Sequence, residues 1–456
     1  MRLRATLACA VLLASASAQA AGRPRYGGEL RVAHDGPPEV GEPALADTPL
    51  EATLLGLLSR PVCQTTADGA VAPALARTLS RPTSQSLHLT LPSAAVAQAL
   101  ARAWMRLTSN EGASPYRALF HAVRGEARQV TPRGAALELA LAYPWPDLER
   151  ALCHPALAPP VSASALGPFT AAGRGALEAQ TAWPQGRPYL DRLLLSATDQ
   201  RGLSRLWSAR QVQVELGVAS ETDAVAGPAL YATFLAFSPR RLPPDFRQAV
   251  ESAIDREDLT RLFVQAPAQP MPHLLPPVLL DAPARPRPSA PSAGGSRKVT
   301  LLYDASVEDQ RAVAERIQVK LHDRGYTVAL EALPRAALRA RWARGDFELM
   351  LHALLLPPIP GPALAVVLDA GGRRDLLGVE LPAIGSLPAP AARDARARER
   401  ALALAASVPL VPLYAQGLGM RFAPDVGGVM MDAQGLPSLD GLYVLPPEGT
   451  AMGGRP

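Results

Sequence analysis

Seven histidines, His34, His88, His121, His154, His273, His322 and His352, are the side chains best suited to proton transfer or metal ligation near neutral pH. No two of them stand in a His-x-x-x-His or His-Glu-x-x-His pattern, so no helix face presents a ready zinc pair. Gly-x-Ser-x-Gly, Ser-x-x-Lys, Cys-x-x-Cys, an EF-hand run of acids and a phosphate-cradling glycine loop are all missing from the chain. The sequence therefore makes no positive case for an enzyme, a resident metal or a cofactor. Of three cysteines, Cys9 lies in the apolar leader, which leaves Cys63 and Cys153. In an oxidising compartment they could form one disulfide, but spacing alone leaves the pairing open.

The elements that must position any site are of mixed type. Gly27-Gly-Glu-Leu-Arg-Val-Ala33 is a strand entered from a Gly-Gly turn, and His34-Asp-Gly-Pro-Pro38 ends it. Apolar residues recur at helical spacing over 50–60 and 93–108, while Leu89, Leu91 and Leu137–Leu141 alternate as strands. A cleaner unit begins at Val299–Tyr303, a strand followed by a capping box at Ser306 and Asp309 and a helix through Ile317 and Leu321, stopped at Gly325. Strand Tyr326–Leu330, helix Ala336–Ala343 ended by Gly345, and strand Phe347–Leu351 complete a βαβαβ pattern, which implies a parallel sheet with right-handed crossovers. Residues 266–296 hold nine prolines and a Gly-Gly with little apolar periodicity, and read as a flexible interdomain tether.

The N-terminus carries an address. A basic head, Met1-Arg-Leu-Arg, an apolar run from Ala5 to Ala14 and small residues to Ala20 make a secretory signal peptide, too short to span a bilayer. The poor lipid-attachment context of Cys9 predicts a soluble periplasmic protein. A mature chain of this length exceeds one hydrophobic core. Prolines number 47, yet 48% apolar residues argue for a packed globule. Lysine occurs only at Lys298 and Lys320, and loss of Arg2 and Arg4 with the leader lowers the formal charge from +5 to +3. No dense basic run with interleaved aromatics appears, which argues against nucleic acid as a partner.

Several segments, in order, resemble the extracytoplasmic solute-binding proteins of oligopeptide and dipeptide ABC transporters (family 5). Gly27–Ala33 with its Asp-Gly-Pro-Pro loop is similar to the opening strand, and Ala70–Ala76 to the "x-V-x-P-x-L-A" turn. Gly167-Pro-Phe with Gly186-Arg-Pro-Tyr-Leu-Asp191 resembles "GPF … W-x-G-x-P-Y-L-D". Most specific is Phe234–Arg241 running into Asp245-Phe-Arg-Gln-Ala and Ala253-Ile-Asp-Arg-Glu257, similar to "Y-L-x-F-N-T … V-R-x-A … A-I-D-R-E". Gly345–Leu349 and Val408–Tyr414 align with the closing portions.

The resemblance implies an α/β, type II periplasmic-binding fold with two lobes and an extra domain in the first. Its expected division is a signal peptide over 1–20, a first lobe from 21–50, 160–232 and 412–456, an extra domain over 51–159, and a second lobe over 233–411. It implies capture of a peptide or other small solute in the interlobe cleft and delivery, as a monomer, to permease subunits at the inner membrane. A degenerate relative serving as an envelope sensor or interaction module is the alternative. The candidate ligand contacts are His34 and Asp35 at the end of the first strand, Tyr231 and Phe234 at the lobe crossing, His352 after the third strand of the second lobe, and Tyr414 on the returning strand. Arg247, Asp255 and Arg256 are expected to brace helices, and Trp183 to pack. The family's "G-W-x-x-D-Y-P-D-P" segment, whose Asp meets the peptide amino group, is replaced by His352-Ala-Leu-Leu-Leu-Pro-Pro-Ile-Pro-Gly-Pro362. A buried ammonium without a counter-charge is costly, which leaves an apolar ligand, an anionic one or none open.

Overall fold

In the computed structural model, residues 24–445 are described except 37–41, 67–68, 110–113, 124–129, 162–165, 218–223, 239–241, 243, 265–267 and 285–296. The signal peptide lies outside the described residues. Three sheets organise the chain. The first has seven strands in the order Ala224–Ala226, Gly419–Phe422, Val214–Leu216, Glu29–Asp35, Arg192–Thr198, Ala176–Ala179 and Phe169–Ala171. Glu29–Asp35 runs parallel to both Arg192–Thr198 and Val214–Leu216. Its alternate residues Leu30 and Val32 are buried with Leu193, Val214 and Met420, and Leu54 and Leu57 of helix Pro49–Leu58 cover them. Thr48 caps that helix by accepting the Glu51 N–H.

The second sheet has six strands, Ala268–Pro270, Leu410–Gln416, Tyr231–Phe237, Leu349–Leu355, Lys298–Asp304 and Thr327–Leu333. Lys298–Asp304 is parallel to both of its neighbours, so the βαβαβ expectation holds in order and direction. The capping box does not form. Helix Glu308–His322 has Val307 at its N-cap with no side-chain cap, and Ser306 Oγ donates instead to Asp304 Oδ1 at 2.6 Å. Gly325 and Gly345 take positive φ, and Gly345 is the left-handed C-cap of helix Arg335–Arg344.

The third sheet, Thr78–Thr83, Ser86–Thr90, Ala136–Ala140 and Thr131–Arg133, is antiparallel and covered by helix Ala94–Thr108. Within this unit Cys63 and Cys153 are disulfide-bonded, which answers the question that spacing left open. Its core does not stop at its own boundary. Trp104, Tyr116, Phe120, Trp145 and Leu157 belong to one buried cluster with Leu354, Leu364, Leu368, Leu381 and Ile384 of the six-stranded unit. Helix Pro360–Ala370, every residue of which is buried, lies between the turn Pro115–Phe120 and helix Pro390–Leu404.

The tether expectation fails for 268–284. Ala268–Pro270 pairs with Leu410–Gln416, and Met271, Leu274 and Leu275 are buried in the core. Proline fixes an extended path whose apolar side chains are spaced by neither helical nor strand periodicity, so burial left no periodic trace. The remainder of the proline-rich stretch lies outside the described residues.

Two short connections join the large sheets: 227–230 into Tyr231–Phe237, and 417–418 out of Leu410–Gln416. They touch backbone to backbone. A Cβ on Gly417 would lie 2.2 Å from the Gly227 carbonyl oxygen, so glycine is required there.

Candidate functional site

Between the two large sheets lies a cavity of ≈660 Å³. One wall is built from the C-terminal ends of parallel strands, where Asp35, Thr198, Asp199 and Gln200 emerge. This is the edge at which open α/β sheets bind ligands, because the strands end there and the loops diverge. The opposite wall is Ser306, Val307, Asp309 and Arg335 from the six-stranded unit, and the floor is the crossing region at Tyr231 and Gln416–Gly419. Asp199 caps helix Gln200–Ser208, accepting the Gly202 N–H at 2.7 Å. Gln200 Nε2 donates to Asp35 Oδ2 at 3.0 Å and to the Gly217 carbonyl at 3.2 Å, which fixes one side of the mouth.

A charged network closes the flank. Arg335 donates to Asp304 Oδ2 at 2.7 Å within its own unit and pairs with Glu51 across the gap. Arg339 grips Asp47 with Nε and Nη2 at 3.1 and 3.0 Å. Burial pushes the Glu51 carboxyl up, while the surrounding carboxylates hold Arg335 and Arg339 charged against their own burial. Five side chains, Asp47, Glu51, Asp304, Arg335 and Arg339, thus bridge segment 47–51 to helix Arg335–Arg344 and the strand beside it.

Of the candidate contacts, the structure places Asp35 and Tyr231 on the cavity wall. His34, one residue earlier on the same strand, points to the other face; it is buried and its Nδ1 faces the Gly36 carbonyl oxygen at 2.9 Å. Burial lowers its pKa, so the ring is neutral and Nδ1–H donates. Phe234 and Tyr414 sit in the core, not the cavity, because both belong to central strands covered on both faces. Tyr414 shares a hydrogen bond with Thr233, and burial pushes its phenol up. His352 is stacked on Trp342 with ring centroids 5.3 Å apart, and desolvation lowers it to about 4. It borders a ≈30 Å³ void shared with Asp47, Tyr231, Arg335 and Arg339.

Sequence reasoning missed Thr48, Asp199, Gln200 and Arg335. For the last three the signal was available: each follows the end of a strand that feeds a helix. Arg247 and Arg256 act as braces, donating to the Ala405 and Pro412 carbonyls, and Asp255 caps helix Arg256–Leu262. Trp183 is buried. Among the described residues no cluster of three His, Cys, Asp or Glu could hold a metal, and no helix is long and apolar enough to cross a membrane.

Segment 352–362, which stands in place of the anchor segment of the family that the sequence resembles, is sealed at Leu355 and Leu356. The Leu355 N–H donates to Tyr116 Oη at 3.1 Å, and His154 Nε2–H donates to the Leu355 carbonyl at 3.0 Å. The Ala156 N–H to Nδ1 contact fixes that tautomer, and burial lowers His154 to about 4. Gln434 Nε2 occupies the Leu356 carbonyl at 2.6 Å.

No family model matches the chain, and no curated protein is significantly similar in sequence. Solved structures do match over nearly the whole length. The murein tripeptide binding protein MppA of Escherichia coli has a TM-score of 0.75 at 16% identity, covering 93% of this chain and 100% of its own. The periplasmic binding protein DppA of Helicobacter pylori, in complex with the peptide STSA, has a TM-score of 0.73 at 16% identity, covering 92% and 99%. An unliganded open form of MppA reaches only 0.58 at 17% identity, covering 92% and 98%. The chain therefore has the type II periplasmic-binding fold.

Proposed function

We propose that this protein is a periplasmic solute-binding protein that captures a small solute in the interlobe cleft and delivers it to an ABC importer. The observation that carries the reading is the ≈660 Å³ cavity, which is walled by side chains of both large units and floored by the two short crossings between them. A volume of this size suits a ligand of a few residues or a comparable small molecule. A cleft floored by two crossings converts binding into a change of shape that a permease can read. The secretory leader and the likeness to binding proteins of peptide transporters agree with this. In this reading the contacts are Asp35, Tyr231, Asp199, Gln200, Ser306, Asp309 and Arg335. The ligand is compact, because the Leu355 main chain is already paired within the protein and offers no station for an extended peptide. No step of this function requires bond chemistry.

The test is differential scanning fluorimetry of the mature protein against di- and tripeptide pools and other small-solute libraries, paired with native mass spectrometry of freshly purified material. A ligand that raises the melting temperature in wild type but not in Asp35→Asn or Gln200→Ala is expected. No shift from any pool and no co-purified small molecule would overturn the proposal.

A further inference from the structure

A second cavity, ≈380 Å³, opens at the far end of the six-stranded sheet, beside Phe237, Ser238, Phe347 and Pro409. Tyr231, on the cleft floor, and Phe237, on this wall, begin and end one strand, so the two cavities are about 20 Å apart by strand rise. Three guanidiniums line it: Arg117 from the unit of 62–157, and Arg344 and Arg374 from the six-stranded unit. The only carboxylate among the described lining residues, Asp369, has no exposed side chain and is already shared, with Arg117 Nε at 2.9 Å and Arg374 Nε at 2.5 Å. Both terminal nitrogens of Arg374 carry no hydrogen bond among the described residues. Arg344 has no ion pair or hydrogen bond there at all.

Fixed positive charge thus surrounds a space whose walls are aromatic. Trp342 lies under Arg117 at 5.7 Å, with Phe237 and Phe347 beside it. The C-terminal carbonyls of helices Arg335–Arg344 and Pro360–Ala370 also face this region and disfavour an anion. Three guanidiniums against one spent carboxylate outweigh two half-charges at helix ends. A role confined to offsetting those helix ends would engage one arginine per helix and would not leave two with unused donors. Guanidinium forks match planar oxyanions in pairs, and an apolar wall beside them suits a ring or short chain.

We propose that this cavity is a second ligand site, separate from the cleft, that takes a small organic anion, a carboxylate or phosphate attached to an apolar body. Its oxyanion would bridge Arg344 and Arg374, with Arg117 behind them, and its apolar part would lie on Trp342 and Phe347. Because Arg117 comes from the other unit, an occupant would tie the two together.

The experiment is isothermal titration of the mature full-length protein with phenyl phosphate and benzoate at constant ionic strength, with benzyl alcohol as the neutral control. Binding of the anions and not of the alcohol is expected, weakened about tenfold or more in Arg344→Ala and further in Arg344→Ala/Arg374→Ala. Arg344 is exposed, so its replacement should leave the melting temperature of the free protein unchanged. Equal affinity in Arg344→Ala, binding of the alcohol as strongly as the anions, loss of the signal in Asp35→Asn in place of the arginine variants, or no heat up to roughly 10 mM would each overturn the proposal.

Discussion

Two surfaces join the parts of this molecule, and they are built from opposite materials. Where Trp145 and Asp147 of the unit of 62–157 meet the helices of 360–404, the contact is close-packed. Trp145 lies on Gly385 so closely that a Cβ there would come within 2.8 Å of the ring, and Arg393 grips Asp147 with two 3.0 Å bonds, both side chains almost wholly buried. Where the seven-stranded sheet faces the six-stranded one, the contact is a cavity flanked by Arg335, Arg339, Asp47 and Glu51. Parting the first surface would expose apolar area at about 25 cal/mol per Å² and strand a buried charge. Parting the second wets a space that is already open and hands ion pairs to water. If the cleft closes on a ligand as proposed, the unit of 62–157 should move with the helices of 360–404, because that close-packed contact is the costlier one to part.

The largest effect should come from breaking the close-packed seam. Arg393→Ala leaves Asp147 buried without its partner and should lower stability by about 3–5 kcal/mol in urea unfolding. Arg393→Met with Asp147→Leu should recover much of that. A loss under 1 kcal/mol in the single variant would show that the seam is looser than its geometry.

Acid should weaken the same region next. His154 and His352 are held neutral, at about 4 against an ordinary 6.5. Below pH 6.5 the unfolded chain takes up protons that the native rings refuse, so stability falls as pH drops from 6.5 to 4 and levels off beneath. Each ring contributes about 3 kcal/mol to that fall. His154→Gln should flatten the profile between those limits, and an unchanged slope would remove His154 from the account.

The flanking network sharpens the other half of the comparison. Arg335→Ala removes the bridge between Glu51 and Asp304 and should favour the open cleft, raising the small-angle scattering radius and weakening cleft ligands about tenfold. A disulfide engineered across the cleft should abolish ligand exchange, whereas one engineered across the close-packed seam should not. The opposite pattern would reverse the assignment of moving parts. The smallest effect is expected at Tyr231→Phe, which removes one hydroxyl from the cavity wall. It should change ligand affinity several-fold with under about 1 kcal/mol of stability. Tyr414→Phe, deep in the sheet, should alter stability and leave affinity alone.

How far the sequence could be read depended on the range of the forces involved. Strand Lys298–Asp304, helix Glu308–His322 and strand Thr327–Leu333 were legible because apolar period and glycine stops are local. Ordered motifs from Gly27 to Tyr414 carried the two-lobed fold, since each marks a turn or strand that the chain needs in that place. Asp35 was legible as the end of a strand, and the structure puts it on a cavity wall. His34, His352, Phe234 and Tyr414 were not separable from it, because which face of a strand is covered depends on what packs there.

Chain chemistry alone, then, decided the alternation of strands and helices, which rests on residues within a few positions of one another. Tertiary structure decided the bond between Cys63 and Cys153, the burial of Met271 and Leu274, the pairing of Asp147 with Arg393 and the sealing of Leu355 by Tyr116 and His154. Those contacts join residues that only packing brings together, and sequence spacing carries no measure of distance in space.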